Sequence, residues 1–103
     1  MITHNKYLSN GVYITPQEVT LGDKVRISYD GLLAKSGAPV VYARVGFGNK
    51  WSNAADIQMI KTPAGFEATV PITKADPLYV CFKDTANNWD NNAGKNYSFD
   101  IVE

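Results

Sequence analysis

The chain has 103 residues, 45% apolar and 19% charged, and its ten basic and ten acidic residues cancel to a formal charge of zero. That composition fits one folded domain with a single core and excludes a disordered chain. It also lacks a basic stripe for nucleic acid or an anionic membrane surface: Lys24 and Arg26 stand one strand step apart and alone, so neither partner is expected.

Residues 1–10 are polar and read as a flexible tail ahead of one domain over residues 11–103. Gly11-Val12-Tyr13-Ile14 is a short strand stopped by Thr15-Pro16. Glu18–Leu21 follows as another, turned by Gly22-Asp23. Lys24–Asp30 alternates strictly, with Val25, Ile27 and Tyr29 on one face and Lys24, Arg26 and Ser28 on the other, the period of a half-buried strand. Residues 31–39 read as a loop, because its Leu-Leu-Ala-Lys run is too short for a stable helix. Val40–Phe47 alternates again, placing Val41, Ala43, Val45 and Phe47 inward and Tyr42 and Arg44 outward.

A Gly/Asn-rich loop around Trp51 comes next, then a weaker strand at Asp56–Thr62 and a turn at Pro63-Ala64-Gly65. Phe66, Ala68 and Val70 share one face of the following strand, and Leu78, Val80 and Phe82 share one face of the strand after it. Tyr97, Phe99 and Ile101 alternate in the last. Seven or eight short strands with no helical period predict an all-β fold, an immunoglobulin-like antiparallel sandwich. Its expected core includes Val25, Ile27, Val41, Val45, Phe66, Val70, Val80, Phe82, Phe99 and Ile101.

Between the last two runs lies Asp84-Thr85-Ala86-Asn87-Asn88-Trp89-Asp90-Asn91-Asn92-Ala93-Gly94-Lys95-Asn96, a connection rich in turn formers around one large aromatic. An indole face covers the C–H face of a pyranose and amides bond its hydroxyls, so Trp89, with Trp51 in a similar setting, suggests a paired platform for sugar. Loops at the ends of a sandwich are where such chemistry collects.

Catalysis finds little support. The single cysteine, Cys81, has only His4 as a possible partner, and Asp84 with Asp90 is the sole acidic pair near the tryptophans available to a glycosidase. Asp84, Asn87, Asn88 and Asp90 are oxygen ligands that calcium could use, but the loop lacks the EF-hand offsets, and neither a metal nor a cofactor is expected. The rival reading is an immunoglobulin-like domain that docks on protein through the same exposed tryptophans.

The Gly31–Ala38 loop, the segment Val41-Tyr42-Ala43-Arg44-Val45-Gly46-Phe47-Gly48 with Trp51, and Phe82-Lys83-Asp84 running on to Trp89-Asp90-Asn91-Asn92 and Asn96-Tyr97 resemble the starch-binding carbohydrate-binding modules of family 25 and the related family 53. The resemblance implies a non-catalytic β-sandwich that grips α-1,4-glucan through two stacking tryptophans and a nearby histidine. Trp51 and Trp89 match the stacking pair, and Asp90, Asn91 and Asn92 share the loop where hydroxyl contacts are made. Arg44 stands where the histidine is expected, a departure, since arginine donates hydrogen bonds and accepts none. Residues 1–10 hold no apolar signal-peptide core and no run reaches membrane-span length, so the expected setting is cytoplasmic for a stand-alone chain, with glycogen as target, or extracellular for a module of a secreted amylase.

Overall fold

Alternation commits Lys24–Tyr29 to an extended segment with one buried face. In the computed structural model, which describes residues 7–16 and 18–102, it is an inner strand of a four-stranded sheet. In chain order the strands are β1 (Val12–Thr15), β2 (Val19–Thr20), β3 (Lys24–Tyr29), β4 (Val41–Phe47), β5 (Ser52–Gln58), β6 (Ile60–Thr62), β7 (Gly65–Pro71), β8 (Leu78–Asp84), β9 (Trp89–Asp90), β10 (Tyr97–Phe99) and β11 (Ile101–Val102). One antiparallel sheet runs β1-β3-β7-β6. The other runs β10-β8-β4-β5, with β9 also paired to β8, and β2 and β11 form a short parallel pair.

The two antiparallel sheets enclose the core, giving the expected all-β sandwich. Val25, Ile27, Val41, Val45, Phe66, Val70, Val80, Phe82 and Phe99 are all buried, and Ile101 packs half-buried against them. The segments outnumber the expected seven or eight for two reasons. β9 is a two-residue pairing too short to leave a period. The run Tyr97–Ile101 divides, Ile101 leaving β10 to pair with β2. The run Asp56–Thr62 also divides, its first part joining β4 and its last part joining β7 in the other sheet. Buried Met59 sits at the crossing, its N–H donating to the carbonyl of Val41 at 2.9 Å.

Two local expectations change. Leu32–Lys35, read as loop, closes one helical turn, α1. Such a turn has little stability alone; here Leu33 is buried and its N–H donates to the Tyr29 hydroxyl at 3.0 Å. The expected tail also shortens. Residues 1–6, His4 among them, lie outside the described residues, but Tyr7 meets Tyr97 and Phe99 edge-on at 4.9 and 5.7 Å and its hydroxyl accepts the N–H of Ser98 at 3.1 Å.

Candidate functional site

The same alternation that builds the core assembles an outer face on the five-stranded sheet. With Leu78, Val80 and Phe82 inward, Tyr79, Cys81 and Lys83 of β8 point outward; with Val41, Ala43 and Val45 inward, so do Tyr42, Arg44 and Gly46 of β4. The register places Tyr42 beside Lys83, Arg44 beside Cys81 and Gly46 beside Tyr79. From β5 come Gln58 beside Tyr42 and Asp56 beside Arg44, and from β9 comes Trp89 beside Lys83.

Trp89 is 41% exposed. It owes its position to the hairpin Asp84–Asn88, whose closure follows from the side chain that opens it. One carboxylate oxygen of Asp84 accepts the N–H groups of Ala86 and Asn88, both at 2.9 Å, and the other accepts the Asn88 amide at 2.9 Å. These bonds, led by the Asn88 side chain, hold the Asp84 carboxyl below its ordinary pKa. Asn87 takes the left-handed backbone, φ 66°, and its amide oxygen accepts the indole N–H of Trp89 at 3.3 Å. Lys83 lies over the indole, its ammonium 5.4 Å from the ring centroid and 5.8 Å from that of Tyr42.

Trp51 reaches the same face by another route. The β4–β5 pairing shifts register between Val45 and Phe47, and Trp51 and Asn53 both take positive φ, 56° and 55°. A bulky residue seldom adopts that conformation. Here the turn is closed by the Trp51 N–H donating to the Gly48 carbonyl at 3.0 Å, and the indole folds back over Gly46. A Cβ on Gly46 would come within 2.7 Å of the indole Cε3, so only glycine leaves room. The ring then lies 6.0 Å from Tyr79, tilted by 35°.

The two tryptophans therefore share a face without forming one joined platform. Tyr79 stands four residues along β8 from Lys83, about 13 Å at the rise of a strand. Between them lies a charge cluster: Asp56 accepts from Arg44 at 2.9 Å and from Lys83 at 2.9 Å. Those two bonds, that of Lys83 foremost, lower the pKa of Asp56. Arg44 is outward as expected, with Asp56 as its partner. Cys81, beneath the cluster, is buried, which pushes its thiol up to about 11. An open depression of about 430 Å³ borders Tyr42, Asp56, Lys83, Asp84, Thr85 and Asn87.

The remaining expected contacts go elsewhere. Asp90 is the inward partner of Trp89 on β9 and is 7% exposed. Its two oxygens accept the hydroxyls of Tyr29 at 2.7 Å and Tyr97 at 2.8 Å, which makes it an anchor within the core, while it also borders the recess that Asn92 lines. Burial, with these bonds to Asp90, raises both tyrosine pKa values. Tyr29 also stacks on Phe82 at 3.9 Å, so β3, α1, β8 and the Trp89 segment meet at one carboxylate. Asn91 and Asn92 serve their own turn: Asn91 accepts the Gly94 N–H at 3.0 Å, and Asn92 donates to the Asn96 carbonyl at 3.0 Å. Asn92 lines a recess beside Leu32 and Lys35, apart from the tryptophan-lined face. Asp84 turns both oxygens to its own hairpin and Asp90 is turned inward to the two tyrosines, and no metal-holding cluster of His, Cys, Asp and Glu occurs among the described residues. Tyr42, Asp56, Tyr79 and Lys83 belong to the face although the loop chemistry did not single them out; strand parity was the signal for all but Asp56.

The family model for the starch/carbohydrate-binding module of family 53 matches residues 25–81, which is more than half of the chain. The chain belongs to that family, the second of the two it resembles. The matched region takes in Arg44 and Trp51 and stops short of Trp89. A β/α-amylase of Paenibacillus polymyxa is 38% identical over 82 residues, covering 76% of this chain and 6% of the amylase. The chain thus spans a small fraction of that relative's length. No solved structure matches.

Proposed function

We propose that this module binds α-1,4-linked glucan (starch, glycogen or maltooligosaccharides) on the outer face of the β10-β8-β4-β5 sheet, and performs no chemistry on it. The observation that carries this reading is the arrival of Trp51 and Trp89 on one sheet face by unrelated routes, a strained turn and a capped hairpin. Each indole takes a different glucose residue of one chain, with further residues crossing the cluster between them. Lys83, Arg44 and Asp56 supply donors and an acceptor there, and Tyr42 and Tyr79 extend the aromatic surface. Asp90 holds Trp89 in place from behind.

Aromatic stacking is worth about 1–3 kcal/mol per ring for nucleobases, and a pyranose presents a face of similar size. Two stacks and a few hydroxyl bonds, less the ordering of a flexible glucan, leave about −4 to −7 kcal/mol, a Kd between roughly millimolar and ten micromolar. Native electrophoresis through gels containing glycogen, amylose or no sugar tests the reading. Retardation by both glucans without release of reducing sugar is expected; equal mobility in all three gels favours the protein-docking alternative.

A further inference from the structure

The opposite face of the sandwich carries a second arrangement of the same chemical kind. On the β1-β3-β7-β6 sheet, Tyr13 points outward and is 42% exposed. The register sets it beside Ser28, and Ser28 beside Glu67, while Arg26 stands one strand step away on the same face. These four residues border one recess of about 120 Å³. Arg26 and Glu67 are diagonal neighbours across β3 and β7, within reach of each other's long side chains. Yet no ion pair joins them, and among the described residues neither they nor the hydroxyls of Tyr13 and Ser28 make a side-chain hydrogen bond. On the tryptophan face, by contrast, Arg44 and Lys83 both bind Asp56.

We infer that this recess is a second glucan subsite, which takes one hexose residue on the Tyr13 ring. The proposal rests on the glucan reading of the tryptophan face for its ligand class. The groups themselves specify that class. Each hydroxyl of a sugar both donates and accepts, so a site for a vicinal diol wants a donor-only group and an acceptor-only group side by side; Arg26 and Glu67 are such a pair, and Ser28 does both. Their charges cancel, which favours an uncharged ligand over an anion or a cation. An exposed aromatic face completes the set. Because the two subsites lie on opposite sheets, adjacent residues of one short oligosaccharide cannot serve both. The module instead bridges two glucan chains, and on a polysaccharide the second contact raises retention through effective concentration.

Backbone amide NMR with maltotriose tests the inference alongside indole fluorescence of the same samples. In wild type and in Trp89→Ala, the amides of Tyr13, Ser28 and Glu67 should move with added sugar. Tyr13→Ala and Arg26→Ala should each weaken those movements tenfold or more, leaving the indole response unchanged, whereas Tyr13→Phe should retain most of them. The inference is overturned if these amides stay still while the indoles saturate, or if they move equally in Tyr13→Ala and Arg26→Ala. Silent indoles with moving Tyr13, Ser28 and Glu67 amides would instead overturn the tryptophan-face reading and uphold this one. As a second readout, wild type should make glycogen particles scatter more light by cross-linking them, and Tyr13→Ala should not.

Discussion

Trp51 and Trp89 occupy one sheet face in similar Gly/Asn settings, yet they are held in opposite ways. Trp51 is fixed by packing: its backbone takes a conformation rare for a bulky residue, and its ring rests on a glycine and beside Tyr79. Trp89 is a strand residue whose ring stays open, oriented by one bond to Asn87 and by Lys83. A ring that the fold clamps cannot be changed without disturbing the fold, whereas a ring that a hairpin presents can. Binding and stability should therefore be coupled at Trp51 and separable at Trp89.

The strongest way to break the comparison is to remove what stands behind Trp89. Asp90→Ala leaves the hydroxyls of Tyr29 and Tyr97 buried without their acceptor, and a loss of about 3 kcal/mol of unfolding free energy in urea is expected. Glucan binding at Trp89 should fall with it, although the Asp90 carboxylate faces the two tyrosines and not the tryptophan-lined surface. On the Trp51 side, Gly46→Val drives side-chain atoms into the indole. The expected cost is about 2 kcal/mol, with the fluorescence of Trp51 shifted toward that of an exposed indole.

Trp89→Ala sharpens the comparison. Affinity for maltoheptaose should drop tenfold or more, while the urea midpoint moves by less than about 0.5 kcal/mol of equivalent stability. The smallest effect belongs to the charge cluster between the rings. Because the folded-state pKa of Asp56 is depressed, its contribution to stability is present above the unfolded value and lost as pH falls through the lowered one. Being partly exposed, the cluster is worth less than about 1 kcal/mol. Stability from this source should be flat above about pH 5, and Asp56→Asn should remove only the part of the acid sensitivity that Asp56 supplies.

Strand parity made the core and most of the outer face legible. Once Val41 and Val80 are inward, Tyr42, Arg44, Tyr79 and Lys83 must be outward. What the sequence hid were features decided by tertiary partners. Leu32–Lys35 becomes helical because Tyr29 receives the Leu33 N–H. Asp90, in a loop of solvent-loving residues, is buried because the two-residue pairing of β9 with β8 turns it inward toward two tyrosines distant in sequence or hidden in the next strand. Asn91 and Asn92 read equally well as sugar contacts or as turn formers, and their hydrogen bonds follow the second. Tyr7 lay in a polar stretch whose composition said nothing of its fit against Tyr97.

The account turns on both indoles contributing to one glucan-binding face, which titration of wild type, Trp51→Ala and Trp89→Ala with maltoheptaose tests most directly, following indole fluorescence and unfolding in parallel. Wild type should respond with a Kd between roughly millimolar and ten micromolar. Each variant should bind at least tenfold more weakly, with stability lowered in Trp51→Ala and unchanged in Trp89→Ala. No response of the wild type up to several millimolar sugar, or two variants that bind as it does, would contradict the account.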